Sequence, residues 1–512
     1  LVIVSIKFYP DTYIDSVMQL GSMRAMRQVH GIDWASAAMS TPANLETLGS
    51  EGVAAQELKG RGSNDFFIVA RATSQEAAAQ ALDVGEAAVF AARPETGQAT
   101  RAAPRSLREA LKRQPDTNVA VISLPGQYAT LAAYQALSQG LNVLLFSDNV
   151  PLHKEIALKD YARSRGLLLM GPGAGTAALG GVCLGFANVV RPGRVGIVAA
   201  AGTGAQEAMT LLDRWGVGLS QVIGLGGRDL SAEVGGTMGL CAIRALRDDP
   251  DTDVILLVSK PPDAIVAARV LATAGDTPLV AALIGLDPSF VAPPGVVLAD
   301  TLESGVVAAL RVLELPEPDT TPTQGPTVIA ARARLDPGRT LVRGLFSGGT
   351  LCYESLVILG RILGEIRSNT PINKAWGLPA PTGTHQCLDL GEEEYTKGRP
   401  HPMIDPEARL ALLREHGADP QVAAIILDVV LGYGANPDPA GVLVPVVESV
   451  MADGGPQVVA YVLGTELDPQ GYGAQRARLV QAGCIVTETA ARASLVAAAI
   501  ATGDARLMGQ RL

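Results

Sequence analysis

His401 stands between Pro400 and Pro402, just after Lys397 and Arg399, in the run LDLGEEEYTKGRPHPMIDP at residues 388–406. The flanking prolines favour extended backbone, so the imidazole is held out as a candidate acid or base. Arg399 carries a planar two-pronged donor suited to phosphate or carboxylate. Asp389, Glu392, Glu393 and Glu394 crowd the same loop before a helix. The bland alternative is a solvated loop that braces the helix start at Asp405. A second kind of chemistry is written twice: VGIVAAAGTGAQEAMT at 195–210 and LVRGLFSGGTLCYESL at 341–356. Each is an apolar strand, a glycine-threonine turn and a helix. A helix opened this way offers uncovered backbone N–H groups and a positive dipole end to an anion. The candidate seats are Gly202, Thr203 and Gly204 in the first turn and Gly348, Gly349 and Thr350 in the second. Two seats in one chain point to a cleft between domains that grips a phosphorylated or carboxylate substrate.

Other constellations are poorer. Neither turn is a Walker A loop, because no GxxxxGK[ST] occurs. His385 and Cys387 are close, but no second pair completes a zinc site, so no metal is expected. Ser347 lacks the GxSxG context of a nucleophile. His30, His153 and His416 fall in or beside amphipathic helices and read as surface residues.

The elements that must position these groups follow from pattern. At 512 residues, 48% hydrophobic and 18% charged, the chain is globular and too long for one core. The net charge of −10 argues against a nucleic-acid surface, leaving anion binding to local backbone and a few side chains. With 56 glycines, 33 prolines and 4% aromatics, the cores must be built from Ala, Val and Leu between tight turns. Five dispersed cysteines without a CxxC pair read as reduced thiols of the cytoplasm. The apolar run at residues 1–6 has no basic segment before it, and the uncharged stretch 166–190 carries Pro172 and seven glycines. Neither a secretory signal nor a membrane span is expected.

Residues 1–95 read as a small α/β unit, with strands at 2–8 and 65–70 and helices at 15–30 and 74–90. Residues 93–115 and 314–326 read as linkers. From residue 118 strands and helices alternate in the rhythm of doubly wound parallel sheets. The expected fold class is α/β: several Rossmann- or flavodoxin-like parallel-sheet domains at 116–190, 191–313 and 327–512, after the small N-terminal unit.

From residue 118 onward the chain resembles the α subunit of succinyl-CoA synthetase, through LLLMGPGAG, RPGRVGIVAAAGTGAQEA, GLSQVIGLGGRDL and DDPDTDVILLVSK. From about residue 341 it resembles the C-terminal domain of that enzyme's β subunit, through LDLGEEEYTKG. With LFSGGTLCYES and GRPHPMIDP added, the order resembles the FdrA family almost end to end. The resemblance implies two helix N-termini facing each other, at the turn 202–204 and at the loop 391–397 with Gly391 and Lys397. It also implies departures. The loop GHAGA, which carries a phosphorylated histidine in the synthetase, has no counterpart at 283–313, and the supporting glutamate falls at Ser259–Lys260. No GxTGxxG precedes residue 118, and no segment reads as ATP-grasp. CoA and ATP sites are therefore expected to be degenerate or absent, with no certain cofactor. FdrA relatives are associated with oxamate carbamoyltransferase in allantoin-derived nitrogen catabolism. The expected substrates are carbamoyl phosphate and oxamate, exchanging with oxalurate and phosphate, with additional protein subunits in an oligomer. Rival readings are an acyl-CoA synthetase and a non-catalytic scaffold.

If the GRPHP loop positions an anion, Arg399→Lys should raise KM at least fivefold while the melting temperature holds. Full activity with a lowered melting temperature would make the loop architectural.

Overall fold

The computed structural model describes residues 3–12, 14, 16–90, 104–320, 325–396 and 400–510. The described residues divide into two compact units, one within residues 1–103 and the other from residue 104 onward.

The first unit is a three-stranded antiparallel sheet in which Phe66–Ala72 lies between Ile3–Tyr9 and Ile32–Met39. Alternation along the central strand buries Phe66, Ile68 and Ala70 on one face and Phe67 and Val69 on the other. Helices Ser16–Arg27 and Gln75–Phe90 close the first face, and Leu48 from helix Pro42–Ser50 packs on the second. The sequence reading left residues 31–64 without elements. IDWASAAM is half Ala and Ser, which carry little strand signal, whereas the Thr41 cap on Asn44 N–H (3.3 Å) is a legible helix start.

Part of the expected linker 93–115 is a helix, Leu107–Arg113, capped by Ser106 Oγ on Glu109 N–H at 3.2 Å; residues 91–103 lie outside the described residues.

The second unit holds three sheets. Val119–Ile122, Asn142–Leu145 and Leu169–Met170 form a small parallel sheet. A seven-stranded sheet has Val195–Ala199 between Val254–Ser259 and Val222–Gly224. A six-stranded parallel sheet has Leu341–Phe346 between His385–Asp389 and Val422–Val430. The parallel strands of both larger sheets run in the doubly wound order 2-1-3-4-5, with one extra edge strand in the second. Strand order therefore reverses beside Val195–Ala199 in one sheet and beside Leu341–Phe346 in the other. These are the two strands that lead into the glycine turns. The stretch at 166–190 is not a helix: Thr176–Leu179 and Val182–Gly185 pair as a hairpin turning at Gly180 and Gly181, both at positive φ, and join the seven-stranded sheet. Among the described residues no helix is long and apolar enough to cross a membrane.

The layers carrying the two larger sheets meet around helix Gly202–Arg214, which is buried along nearly its whole length. Tyr461 donates to Glu207 from the opposite side, and Arg214 reaches Tyr472 Oη at 2.6 Å and Tyr461 Oη at 3.1 Å. Arg492 forks onto Glu303, with Nη2 to Oε1 at 2.6 Å. Glu354 Oε1 accepts the Leu302 N–H at 2.7 Å, while Oε2 is buried without a hydrogen-bond partner among the described residues. Burial pushes Glu207 up to about 7 and Glu354 up to about 8.

A glutamate held protonated in the fold but ionised in the unfolded chain contributes stability below its unfolded pKa and loses it as pH rises. Between about pH 5 and 8 Glu354 should cost about 1.4 kcal/mol of stability per pH unit. Glu354→Gln keeps the acceptor for Leu302 and should flatten that slope in denaturant titrations at pH 5, 7 and 9. An unchanged slope would remove Glu354 from the account.

Candidate functional site

Strands Val195–Ala199 and Val254–Ser259 pair in parallel, with Val258 opposite Ala199, so their carboxyl ends release Gly202 and Lys260 side by side. In the six-stranded sheet, Phe346 pairs with Asp389 and Leu345 with Leu427, so Ser347, Asp389 and Asp428 emerge together. These two clusters meet at one cavity of about 430 Å³. Its wall includes Gly202, Thr203, Lys260, Ser347, Gly349, Thr350, Asp389, Gly391, Glu392 and His401, together with Phe146, Asp148 and Phe186, whose ring centre lies 6.0 Å from that of His401.

Helices Gly202–Arg214 and Gly349–Leu363 touch by their first turns. Thr350 N–H donates to Thr203 Oγ1 at 3.2 Å, and a Cβ on Gly204 would lie 2.9 Å from Thr350 Cγ2 and from Val258 Cγ1. Gly204 is thus a packing glycine that lets the helix ends approach. Gly202 has open space before it. The N–H groups of Gly202, Thr203 and Gly204 find no acceptor among the described residues, and Ala201 supplies no side-chain cap. This turn keeps the donors that an anion needs.

The second turn differs. Asp428 accepts from Ser347 N–H at 2.8 Å, Gly348 N–H at 2.7 Å and Ser347 Oγ at 2.9 Å, and pairs with buried Arg409 at 2.9 Å. The Gly348-Gly349-Thr350 turn, expected to seat a ligand, has its Gly348 donor filled by the protein's own carboxylate and its Thr350 donor taken by Thr203. Gly349 leaves the room that Asp389 Oδ2 occupies, and a Cβ there would overlap it. Asp389 is only 2% exposed; Oδ1 accepts Gly391 N–H at 3.0 Å, and burial pushes the carboxyl up to about 6, against the pull of Lys260.

His401 Nδ1 accepts the Met403 N–H at 3.3 Å, which leaves the hydrogen of the neutral ring on Nε2. Nε2 points at Gly391, where a Cβ would lie 2.8 Å away. Burial pushes His401 down to about 4, so at neutral pH it offers a donor, with its basic nitrogen already engaged. That differs from the acid or base expected of a proline-flanked histidine, because the Pro402 turn brings Met403 N–H back onto the ring. Lys397 and Arg399 lie outside the described residues. His385 serves the sheet, its Nδ1 accepting Val342 N–H at 3.1 Å. Asp405 stands just before helix Glu407–Gly417, and its Oδ1 accepts Glu407 N–H at 3.1 Å.

Sequence reasoning missed Lys260, Asp428 and the role of Asp389. All three were visible as charges within or at the ends of apolar strands, in VILLVSK, AAIILDVVL and CLDL. A charge there is unusual enough to ask what it meets.

Gly202→Asp places a carboxylate in the open first turn without a clash. It should lower inorganic phosphate affinity at least tenfold, about 1.4 kcal/mol, with melting temperature held or raised. Gly204→Asp should instead destabilise, because its side chain strikes Thr350 and Val258. Unchanged phosphate affinity in Gly202→Asp would remove this turn from the site.

A family model described as CoA-ligase matches residues 345–500, and one described as AllF, heavy metal-associated domain, matches residues 3–105. The α 2 subunit of ADP-forming succinate–CoA ligase from Archaeoglobus fulgidus is 31% identical over 159 residues, which is 30% of this chain and 54% of that protein. An acetyl-coenzyme A synthetase structure from Ca. Korarchaeum cryptofilum aligns at 16% identity and TM-score 0.31, over 77% of this chain and 85% of its own.

The groups these names imply do not fit the residues present. In the small parallel sheet, the first strand-to-helix turn is closed to an anion. Leu124 N–H donates to Ser147 Oγ at 2.9 Å, and Gly126 is pressed against the carbonyl oxygens of Asp148 and Asn149, which repel an anion. For a heavy metal, residues 3–105 contain no cysteine and one histidine, His30. No metal-holding group of three His, Cys, Asp or Glu side chains occurs among the described residues. The protein YahF of Escherichia coli K12, described as uncharacterized, is 37% identical over 506 residues, covering 96% of this chain and 98% of that one. Similarity at this level along both chains places this protein in the YahF family, with a CoA-ligase match over residues 345–500.

Proposed function

We propose that this protein is an FdrA-type subunit of an oxamate carbamoyltransferase. It binds carbamoyl phosphate and oxamate and exchanges them with oxalurate and phosphate. In the forward step the amide nitrogen of oxamate attacks the carbamoyl carbon, a C–N bond forms, and the C–O bond to phosphate breaks. The amide proton ends on the departing phosphate, so charge balances. Such direct transfer rests on anion grip and positioning rather than on a protein nucleophile.

The observation that carries the reading is the pair of unlike turns: one is neutralised from within by Asp428, and the other is open beside Lys260. That leaves one seat for one phosphoryl group. His401 Nε2–H would donate to a developing oxyanion, and Gly391 leaves room for the ring. Lys397 and Arg399 would extend the grip from the same loop. Further subunits are part of the proposal, since the curated relatives are themselves named as subunits.

A CoA-ligase reading is favoured by the family match over residues 345–500. It requires a phosphorylated protein intermediate, for which His401 would be the candidate. The test is one set of incubations. Purified protein with carbamoyl phosphate and oxamate, with and without its genomic-neighbour proteins, should release phosphate and oxalurate in equal amounts. Labelled ATP with CoA should leave no acid-labile phosphoprotein. The reverse pattern would replace the transferase by a ligase, and silence in every combination would leave a scaffold.

A further inference from the structure

Asp389 and Lys260 both face the cavity, and no ion pair joins them among the described residues. Lys260 is the one lysine or arginine among the described residues of the wall, with its Nζ 5.6 Å from the centre of the Tyr353 ring. It follows Val258, whose carbonyl accepts Ala200 N–H at 2.9 Å, so the strand register holds it beside the open Gly202 turn. Asp389 is held rigidly. Asn369 brackets its backbone, accepting its N–H at 2.9 Å and donating to its carbonyl at 2.8 Å. Oδ1 is spent on Gly391, but Oδ2 accepts no hydrogen bond among the described residues, although the residue is 98% shielded from solvent. An acceptor left without a protein partner on a cavity wall keeps its lone pairs for a ligand donor.

A molecule that satisfies both walls presents an anionic oxygen to Lys260 and the Gly202 turn, and an N–H to Asp389 Oδ2. We propose that Asp389 and Lys260 make this cavity selective for small anionic amides over their methyl analogues, Asp389 reading the N–H and Lys260 holding the anion. This rests on the transferase reading above and sharpens it. Carbamoyl phosphate carries an amino group where acetyl phosphate carries a methyl group of similar size. A site that hydrogen-bonds a buried N–H rejects the analogue lacking it far more strongly than size alone allows.

The probes are carbamoyl phosphate, acetyl phosphate and inorganic phosphate, titrated calorimetrically into the full-length protein at pH 7.5. Wild type should bind carbamoyl phosphate at least tenfold more tightly than acetyl phosphate. Asp389→Ala should abolish that preference and leave inorganic phosphate affinity undiminished or raised, because a like charge leaves the wall; retained phosphate binding also reports that the variant is folded. Asp389→Asn, which keeps the shape, should lose the preference as well. Lys260→Met should weaken all three ligands at least tenfold while keeping their order. No preference in wild type, or a preference surviving in both Asp389 variants, would overturn this inference and leave the anion cavity and the transferase reading standing. Wild type that binds none of the three would overturn the transferase reading and this assignment together.

Discussion

Two helices that meet by their N-termini bring like dipole ends together, and the arrangement is unfavourable until negative charge is placed between them. The helices beginning at Gly202 and Gly349 meet in this way, close enough for Thr350 N–H to reach Thr203 Oγ1. The protein supplies part of the needed charge. Asp428 caps the second helix start, fixed by Arg409, and Asp389 lies against Gly349. The first helix start is left without such a partner. Much of the site follows from that asymmetry: one end of the junction carries the protein's own carboxylates, and the other has none among the described residues.

The surrounding fold makes the junction possible and keeps it dry. Both larger sheets have the same strand order, so each presents a crevice at the carboxyl end of its first strand. The contact between their layers sets those crevices face to face. That contact is unusually polar for a core, with Glu207, Glu303 and Glu354 buried among Arg214, Arg492, Tyr461 and Tyr472. Breaking such a pair by removing one member leaves a buried charge uncompensated, so the layers are tied in one relative position.

Burial also decides the chemical character of the side chains around the cavity. His401 and Asp389 have ordinary titration ranges in water. Inside this wall the imidazole is held neutral and the carboxyl is pushed up towards neutrality. The histidine becomes a hydrogen-bond donor, and the aspartate a strong acceptor in a poorly solvated place. Neither change depends on a neighbouring metal or cofactor; loss of water is the first cause of both.

Much of this protein could be read before any coordinates. The alternation after residue 118, the two strand-turn-helix motifs and the polar run 388–406 are local patterns, and local patterns survive in a one-dimensional record because backbone periodicity and turn chemistry act between near neighbours. Weak patterns failed for the same reason: IDWASAAM became a strand only because Phe66–Ala72 lies beside it, and LREALKR became a helix inside an apparent linker. The residues alone determined that Gly202 and Gly349 begin helices and that His401 is held in a proline-flanked loop. Only the tertiary structure decided which turn stays open, because the partner that closes the second one, Asp428, arrives from a strand some eighty residues away. It likewise decided that Lys260 and Asp389 share a wall and that His401 is a donor, since these depend on sheet register, burial and the approach of one backbone N–H.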